Sequence, residues 1–457
     1  MKQAVQKQKL DMLNGPLWNK IPQFALPVAA TAILEQLFNA SDIAVVGNFS
    51  GAASTIAVAA VGANSFVISL VVNFFIGIAL GANVVIANAI GREDTDAVHR
   101  AVHTAVVVAV LGGALVTVLG ELAAGPALRA LNVPAEVLPY ALLYLRIYLL
   151  GVPVILLYNF EAAIFRSVGD TRVPLQTLAF SGVLNVLLNL FFVIVLHMTV
   201  NGVATATVLS NAISSVLLFV RLRRSDKAIH LEWTALRIDR RSLQKILQIG
   251  IPAGIQSAVF SISNIVIQSA INSLGTVVMA ASSAAFNIEV VAYDVLNSFS
   301  QACTTFVGQN YGAGKLDRCR KTLVLCLVED ALASGIAILL VLGSGHFLLS
   351  LFNRDPEVIA LGYTRLMTVF TAYFFSMLYE VMSGYLRGFG ISLVPALLTM
   401  LGVCGVRILW IATAFPRSRT FQTILLAYPL SLAATAVLIL LALLIYHPSR
   451  RTKGETV

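Results

Sequence analysis

No Asp, Glu, Lys or Arg occurs from Ile43 to Gly91, from Val173 to Val220 or from Ile246 to Ile288, stretches of 49, 48 and 43 residues. A hydrocarbon core about 30 Å thick takes about 20 apolar residues per helical crossing. Each stretch is too long for one crossing and fits two joined by a tight turn. Turn residues stand near the middle of each: Asn48-Phe49-Ser50-Gly51, Asn201-Gly202 and Asn272-Ser273-Leu274-Gly275. The composition agrees, with 58% of the 457 residues hydrophobic and 12% charged, against about 25% charged in soluble domains. A soluble enzyme, a secreted disulfide scaffold, a disordered chain and a nucleic-acid binder are all excluded.

The same reading places helices near residues 18–47, 54–88, 97–121, 138–165, 174–196, 202–221, 244–271, 276–305, 322–343, 358–385, 393–414 and 421–446. The apolar runs are continuous rather than alternating, which argues against a membrane barrel. The expected fold is therefore an all-α membrane protein with twelve transmembrane helices, both termini on one side. The first dozen residues are polar and have no apolar core, so no cleavable signal peptide is expected.

The distribution of basic residues orients the chain. One face, holding both termini and the even-to-odd loops, receives 24 of the 31 Lys and Arg. The opposite loops receive Arg129, Arg354, Arg417 and Arg419, and Arg146, Arg365 and Arg407 fall inside helices. This bias places both termini in the cytoplasm. It also accounts for the +9 net charge, and the basic run from Arg221 to Lys245 reads as a cytoplasmic linker. Cys303, Cys319, Cys326 and Cys404 show no CxxC or metal-like spacing, so cysteine carries no function here.

The chain repeats itself. Ile21-Pro22-Gln23-Phe24-Ala25-Leu26-Pro27 opens the first helix and Ile246-Leu247-Gln248-Ile249-Gly250-Ile251-Pro252 the seventh, with Asn39 and Asn264 in register. Tyr144-Leu145-Arg146 and Arg166-Ser167-Val168-Gly169 of the fourth correspond to Tyr363-Thr364-Arg365 and Arg387-Gly388-Phe389-Gly390 of the tenth. Six helices per copy, an even number, give two parallel pseudo-repeats: an N-terminal lobe over 15–223, a linker over 224–243 and a C-terminal lobe over 244–447. Such an architecture suits a carrier whose lobes rock about a site near mid-membrane.

At this point a family resemblance emerges. Asn39-Ala40-Ser41-Asp42 with Val46-Gly47, Arg166-Ser167-Val168-Gly169-Asp170, Phe306-Val307-Gly308-Gln309-Asn310-Tyr311-Gly312-Ala313-Gly314 and Leu386-Arg387-Gly388-Phe389-Gly390 resemble the multidrug and toxic compound extrusion (MATE) transporters. The nearest branch is the bacterial DinF-like one, and the resemblance runs from about Gly15 to Tyr446. It implies efflux of cationic or amphiphilic compounds driven by inward flow of protons or sodium ions.

Polar groups inside the membrane mark the candidate sites, since a charge at mid-bilayer costs at least ~2.5 kcal/mol. Glu35, Asn39 and Asp42 stand at i, i+4 and i+7, on one helical face. Asn185 and Asn189 share a face of the fifth helix, and Thr205 and Thr207 follow in the sixth. By resemblance, Asp42, Asn185, Asn189 and Thr207 match the N-lobe pocket for the coupling proton or cation. Many relatives carry an aspartate where this chain has Asn189, which weakens any scheme of two acids sharing protons. The alternative is that the two asparagines only glue helices together.

In the second half, Ser257, Ser261, Asn264, Gln268 and Asn272 trace one polar stripe, read as the wall of a watery pathway. NorM-type relatives carry an acid in this helix and this chain has none, so a C-lobe sodium site of that kind is not expected. Glu289 and Asp294 diverge by about 140° around the eighth helix. Both are assigned to the substrate cavity, with Glu35, Asn39, Asn264 and Gln268, and Glu289 is the one expected to contact substrate or proton. Of Glu329 and Asp330, one is expected to reach the interface or a basic partner. The arginines read as structural charges: Arg146 and Arg365 snorkelling near outer helix ends, and Arg407 deeper, paired with Glu289 or Asp294.

Eight acids against three arginines make the helix interiors net acidic, a field that attracts cations. The chain is thus read as an ion-coupled antiporter, not an enzyme. It needs no cofactor beyond a proton or sodium ion, binds organic cations and the lipid bilayer but neither nucleic acid nor nucleotide, and acts as a monomer. The alternatives are a flippase for lipid-linked saccharides, which would want a cation-rich cavity, and an intramembrane transferase, which would want a catalytic cluster that the six histidines do not form.

Overall fold

A computed structural model describes residues 10–51, 54–131, 133–225, 228–446 and 448. Asp226 and Lys227 of the linker, His447 at the end of the C-terminal lobe and both chain ends fall outside these residues. Among the described residues, twelve helices are long and apolar enough to cross a membrane. They are α1 (Lys20–Phe49), α2 (Ser54–Gly91), α3 (Thr95–Ala130), α4 (Leu138–Ser167), α5 (Arg172–Val195), α6 (Val200–Arg223), α7 (Arg240–Asn272), α8 (Thr276–Gly312), α9 (Leu316–Ser350), α10 (Pro356–Gly388), α11 (Leu393–Thr413) and α12 (Phe421–Tyr446). Most of them outrun the apolar core of their sequence. The helix α3, expected to end near 121, continues through Pro126 and closes with Arg129 in its last turn, where a cation meets the negative end of the helix dipole.

The chain divides into two compact units. One comprises 30–250 and the other 10–29 with 251–446, among the described residues. These limits depart from the repeat boundaries in two places: the first turns of α1 belong to the second unit, and the first turns of α7 to the first. Hydrophobic packing explains both departures. Met12, Ile21 and Phe24 are buried with Phe299, Phe306 and Tyr385, the Phe24 and Phe306 rings meeting edge to face at 5.9 Å. Ile229, Leu231 and Ile246 are buried among Ala82, Val102 and Ile164, so the stretch ahead of α7 is packed chain rather than a loose tether. Pro27 and Pro252 stand within the helices beside the two boundaries, and neither has an N–H to give to the helix ladder.

Within the first unit α4 is central, packed on α2, α3 and α6. Within the second, α10 holds the equivalent place against α8, α9 and α12. Small residues bring these backbones together, as lipid supplies no hydrophobic drive between helices. A Cβ on Gly113 of α3 would stand 2.4 Å from Pro153 Cα of α4, and one on Gly384 of α10 would stand 2.5 Å from the Ser300 carbonyl of α8. Side-chain amides add glue: Asn64 donates to the Ala141 carbonyl at 2.8 Å and Asn83 to that of Ala163 at 3.1 Å.

The related helices α5 and α11 both contain a π-helical stretch, Phe191–Val195 and Met400–Gly405. Each widened turn lies two residues from a polar side chain of the candidate sites, Asn189 in α5 and Arg407 in α11. Such turns re-aim neighbouring side chains and gather at functional positions.

Candidate functional site

The first unit brings Asp42, Asn185, Asn189 and Thr207 together from α1, α5 and α6. Asn189 Nδ2 donates to Asp42 Oδ1 at 2.6 Å and to Asn185 Oδ1 at 3.2 Å. Thr207 Oγ1 donates either to Asp42 Oδ2 at 3.0 Å or to its own helix at the Val203 carbonyl, also 3.0 Å away. Asp42, Asn185 and Asn189 are buried. Asn189 Oδ1 is shut off from solvent and has no hydrogen-bond partner among the described residues. An acceptor left open beside a carboxylate is electrostatically prepared for a cation or a proton-bearing group. Glu35 and Asn39 lie on exposed positions of α1, and the hydrogen bonds that join these four do not include them.

The second unit holds a cavity of about 130 Å³ lined by Asn264, Glu289 and Arg407 among aromatic rings. Glu289 does not pair with Arg407. Its carboxylate is held by Arg365, Nε to Oε1 at 2.7 Å and Nη2 to Oε2 at 2.9 Å. Arg365 is 2% exposed, so it does not snorkel. Its remaining donors meet Ser282 Oγ and, at 3.2 Å, the Tyr428 hydroxyl. The repeat-equivalent Arg146 has its side chain half exposed and 3.6 Å from Glu121. The two arginines differ because α8 offers Arg365 a buried acid.

Arg407 is 3% exposed. Its Nε donates to Ser431 Oγ at 3.0 Å, and its guanidinium carbon lies 4.5 Å from the Tyr428 ring centre and 5.4 Å from that of Phe260. Aromatic faces, not an acid, are therefore its neighbours, a correction to the expected ion pair with Glu289 or Asp294. Gln268 is exposed and donates to Asn272 Oδ1 at 2.8 Å. Neither Gln268 nor Asp294 lines this cavity.

The polar stripe of α7 is partly self-satisfied, since Ser257 and Ser261 donate to the carbonyls of Ala253 and Ser257. Asp330 is buried and accepts the Ser334 hydroxyl at 2.6 Å. Neither it nor Glu329 has a basic partner among the described residues. The acidic surplus expected of the helix interiors does not reach the cavity, where Arg365 neutralises Glu289. Tyr293, Tyr373, Tyr379 and Tyr428 complete its walls. Nothing in their sequence spacing separates them from lipid-facing aromatics.

Comparison with known proteins agrees with this architecture. A sequence profile of the MatE family matches residues 27–191 and again 252–412, once in each repeat. The probable multidrug resistance protein YoeA of Bacillus subtilis is 26% identical over 401 residues, 86% of either chain. The probable multidrug resistance protein NorM of Thermotoga maritima is 27% identical over 411 residues, 88% of this chain and 85% of that one. An outward-facing MATE family transporter of the MOP superfamily superposes with a TM-score of 0.89 over 97% of this chain and 99% of its own, at 19% identity. The fold, the internal repeat and the doubly matched sequence coincide: the chain belongs to the MatE family of multidrug efflux transporters.

Proposed function

We propose that this protein is a secondary active antiporter that exports cationic or amphiphilic small molecules across the bacterial inner membrane in exchange for protons or sodium ions. Both termini lie in the cytoplasm and the protein works as a monomer. The halves before and after residues 224–243 alternate in access. The observation that carries the reading is the buried Asp42 carboxyl, met on one oxygen by Asn189 and on the other by Thr207.

That geometry has two self-consistent states. With Asp42 ionised, Thr207 donates to Oδ2. With Asp42 protonated, its O–H donates to Thr207 Oγ1, and Thr207 turns to the Val203 carbonyl, 3.0 Å away. Each state satisfies the hydroxyl, so a proton can come and go without leaving a buried polar group unpaired. A sodium ion would instead use the Asp42 oxygens with Asn189 Oδ1 and Thr207 Oγ1, all oxygen donors of the kind hard cations take. Coupling requires that the bound ion favour one access state over the other.

The test is transport of a fluorescent organic cation by the protein in proteoliposomes, with pH and sodium gradients imposed separately. Uptake should follow one gradient and vanish when it is collapsed, and Asp42→Asn should abolish it while leaving folded yield intact. Uptake indifferent to both gradients overturns the antiporter, and wild-type uptake by Asp42→Asn removes Asp42 from coupling.

A further inference from the structure

The guanidinium of Arg407 is enclosed but not neutralised. It is 3% exposed, and among the described residues no carboxylate pairs with it. Glu289 is committed to Arg365, and Glu380 Oε1 accepts the Tyr293 hydroxyl at 2.8 Å. The Tyr428 and Phe260 rings lie within 5.4 Å of the Arg407 guanidinium carbon, contacts worth about 2 kcal/mol when desolvated. The hydrogen-bonding capacity of Arg407 is largely unspent. Of the five N–H donors of an arginine, the recorded bond takes one, Nε to Ser431. The in-plane edge of a guanidinium is the part that matches a carboxylate through two parallel bonds.

The surroundings define what else the ligand carries. Arg407 lines the cavity of about 130 Å³ together with Phe260, Phe286, Tyr293, Tyr373 and Tyr428. An engineered apolar cavity of about 150 Å³ holds a benzene ring, so a space of about 130 Å³ is on the scale of a single ring and no larger. The Glu289–Arg365 pair sums to zero, and the Glu380 carboxylate is tied to the hydroxyl of the lining Tyr293, so among the described residues Arg407 is the one lining cation that no carboxylate bonds directly.

We propose that the C-terminal unit carries an anion subsite, in which the Arg407 edge takes the carboxylate of an aromatic acid and the tyrosine and phenylalanine walls take its ring. The subsite would serve whichever cargo carries a carboxylate beside its ring. This rests on the reading of the chain as a small-molecule carrier, but binding is measured without any gradient, so failure of antiport and failure of this site are separate results. Pyrophosphate groups, which call for several cations and no ring, are a poor match.

The probe is 4-fluorobenzoate, followed by fluorine NMR on the full-length protein in lipid nanodiscs. Controls are 4-fluorobenzylammonium, fluorobenzene and inorganic pyrophosphate. The benzoate should bind at least about tenfold more tightly than each control, the span of one charge-assisted hydrogen bond. Arg407→Gln should weaken it by at least about tenfold, and Arg407→Lys, which keeps the charge but not the fork, should fall between. Val369→Phe fills the cavity and leaves Arg407 in place, so it decides the matter if Arg407→Gln does not fold; it too should lose binding. Preference for the ammonium or for pyrophosphate, no binding by the wild type, or unaltered binding in a folded Arg407→Gln or Val369→Phe protein overturns the proposal.

Discussion

Arg365 of α10 grips Glu289 of α8 through two N–H···O bonds of 2.7 and 2.9 Å, with both side chains almost wholly buried. A desolvated pair of this kind adds little over an apolar substitute, yet breaking it leaves an uncompensated charge. Glu289→Leu should destabilise the protein by about 3 to 5 kcal/mol, seen as a lower melting temperature in detergent. The double change Glu289→Leu with Arg365→Met should recover much of that loss. A single variant as stable as wild type would show that the pair is not formed in the membrane.

The Thr207 hydroxyl is the one group of the N-terminal site with two alternative acceptors, Asp42 and Val203. Thr207→Val keeps the shape and removes the alternation. A hydrogen bond to a charged group is worth about 1.5 to 3 kcal/mol, so gradient-driven transport should fall by roughly tenfold or more, while Thr207→Ser stays near wild type. Transport assays on both variants at several external pH values check this.

Close approach of α8 and α10 depends on a missing side chain. Gly384→Ala would put a methyl 2.5 Å from the Ser300 carbonyl, and that oxygen belongs to helix backbone and cannot swing away. A loss of about 1 to 3 kcal/mol is expected, read from thermal unfolding. Gly335, with open space around it, should tolerate alanine.

Asp239 opens α7, its Oδ2 accepting the Ser242 amide and hydroxyl, both at 2.8 Å. The Ser242 backbone N–H is the main cause that holds this carboxyl below its ordinary value, with the Ser242 hydroxyl next and Arg100 and Arg241 adding smaller pulls. A carboxyl depressed in the folded state stabilises it above the unfolded pKa of about 4, and the gain disappears as pH falls through the lower folded value. Asp239→Ala should therefore loosen the start of α7 by about 1 kcal/mol at neutral pH. Hydrogen exchange in the first turns of α7 should show the difference intact at pH 5 and shrinking only below about pH 4.

The twelve crossings were legible because charge is so costly in lipid that uncharged stretches advertise themselves. Asp42, Asn185 and Asn189 stand out as polar residues against an apolar background, but their grouping with Thr207 into one pocket is what the family resemblance implies. Partnership was harder to read. Glu289 and Arg365 were both conspicuous, but their pairing depends on how α8 and α10 rotate against each other, which Gly384 and Ser300 decide at close range. Arg407 was expected to need an acid. It meets two rings instead, and an aromatic residue in a membrane helix gives no sign of whether it faces lipid, core or cavity. The π turns at Phe191–Val195 and Met400–Gly405 have no local sequence signature either.

The exchanged ends of α1 and α7 bear on how the chain is made. Asn310 donates to the Met12 carbonyl, 298 positions earlier, and Arg318 holds the carbonyls of Met12, Asn14 and Gly15. At about 5 to 20 residues per second, the opening segment waits roughly 15 to 60 s on the ribosome's clock for the partners that bury it. Meanwhile the first unit cannot close until residues 240–250 emerge. Residues 12–15 thus dock long after they are made, and until then their hydrogen-bonding carbonyls must find other company.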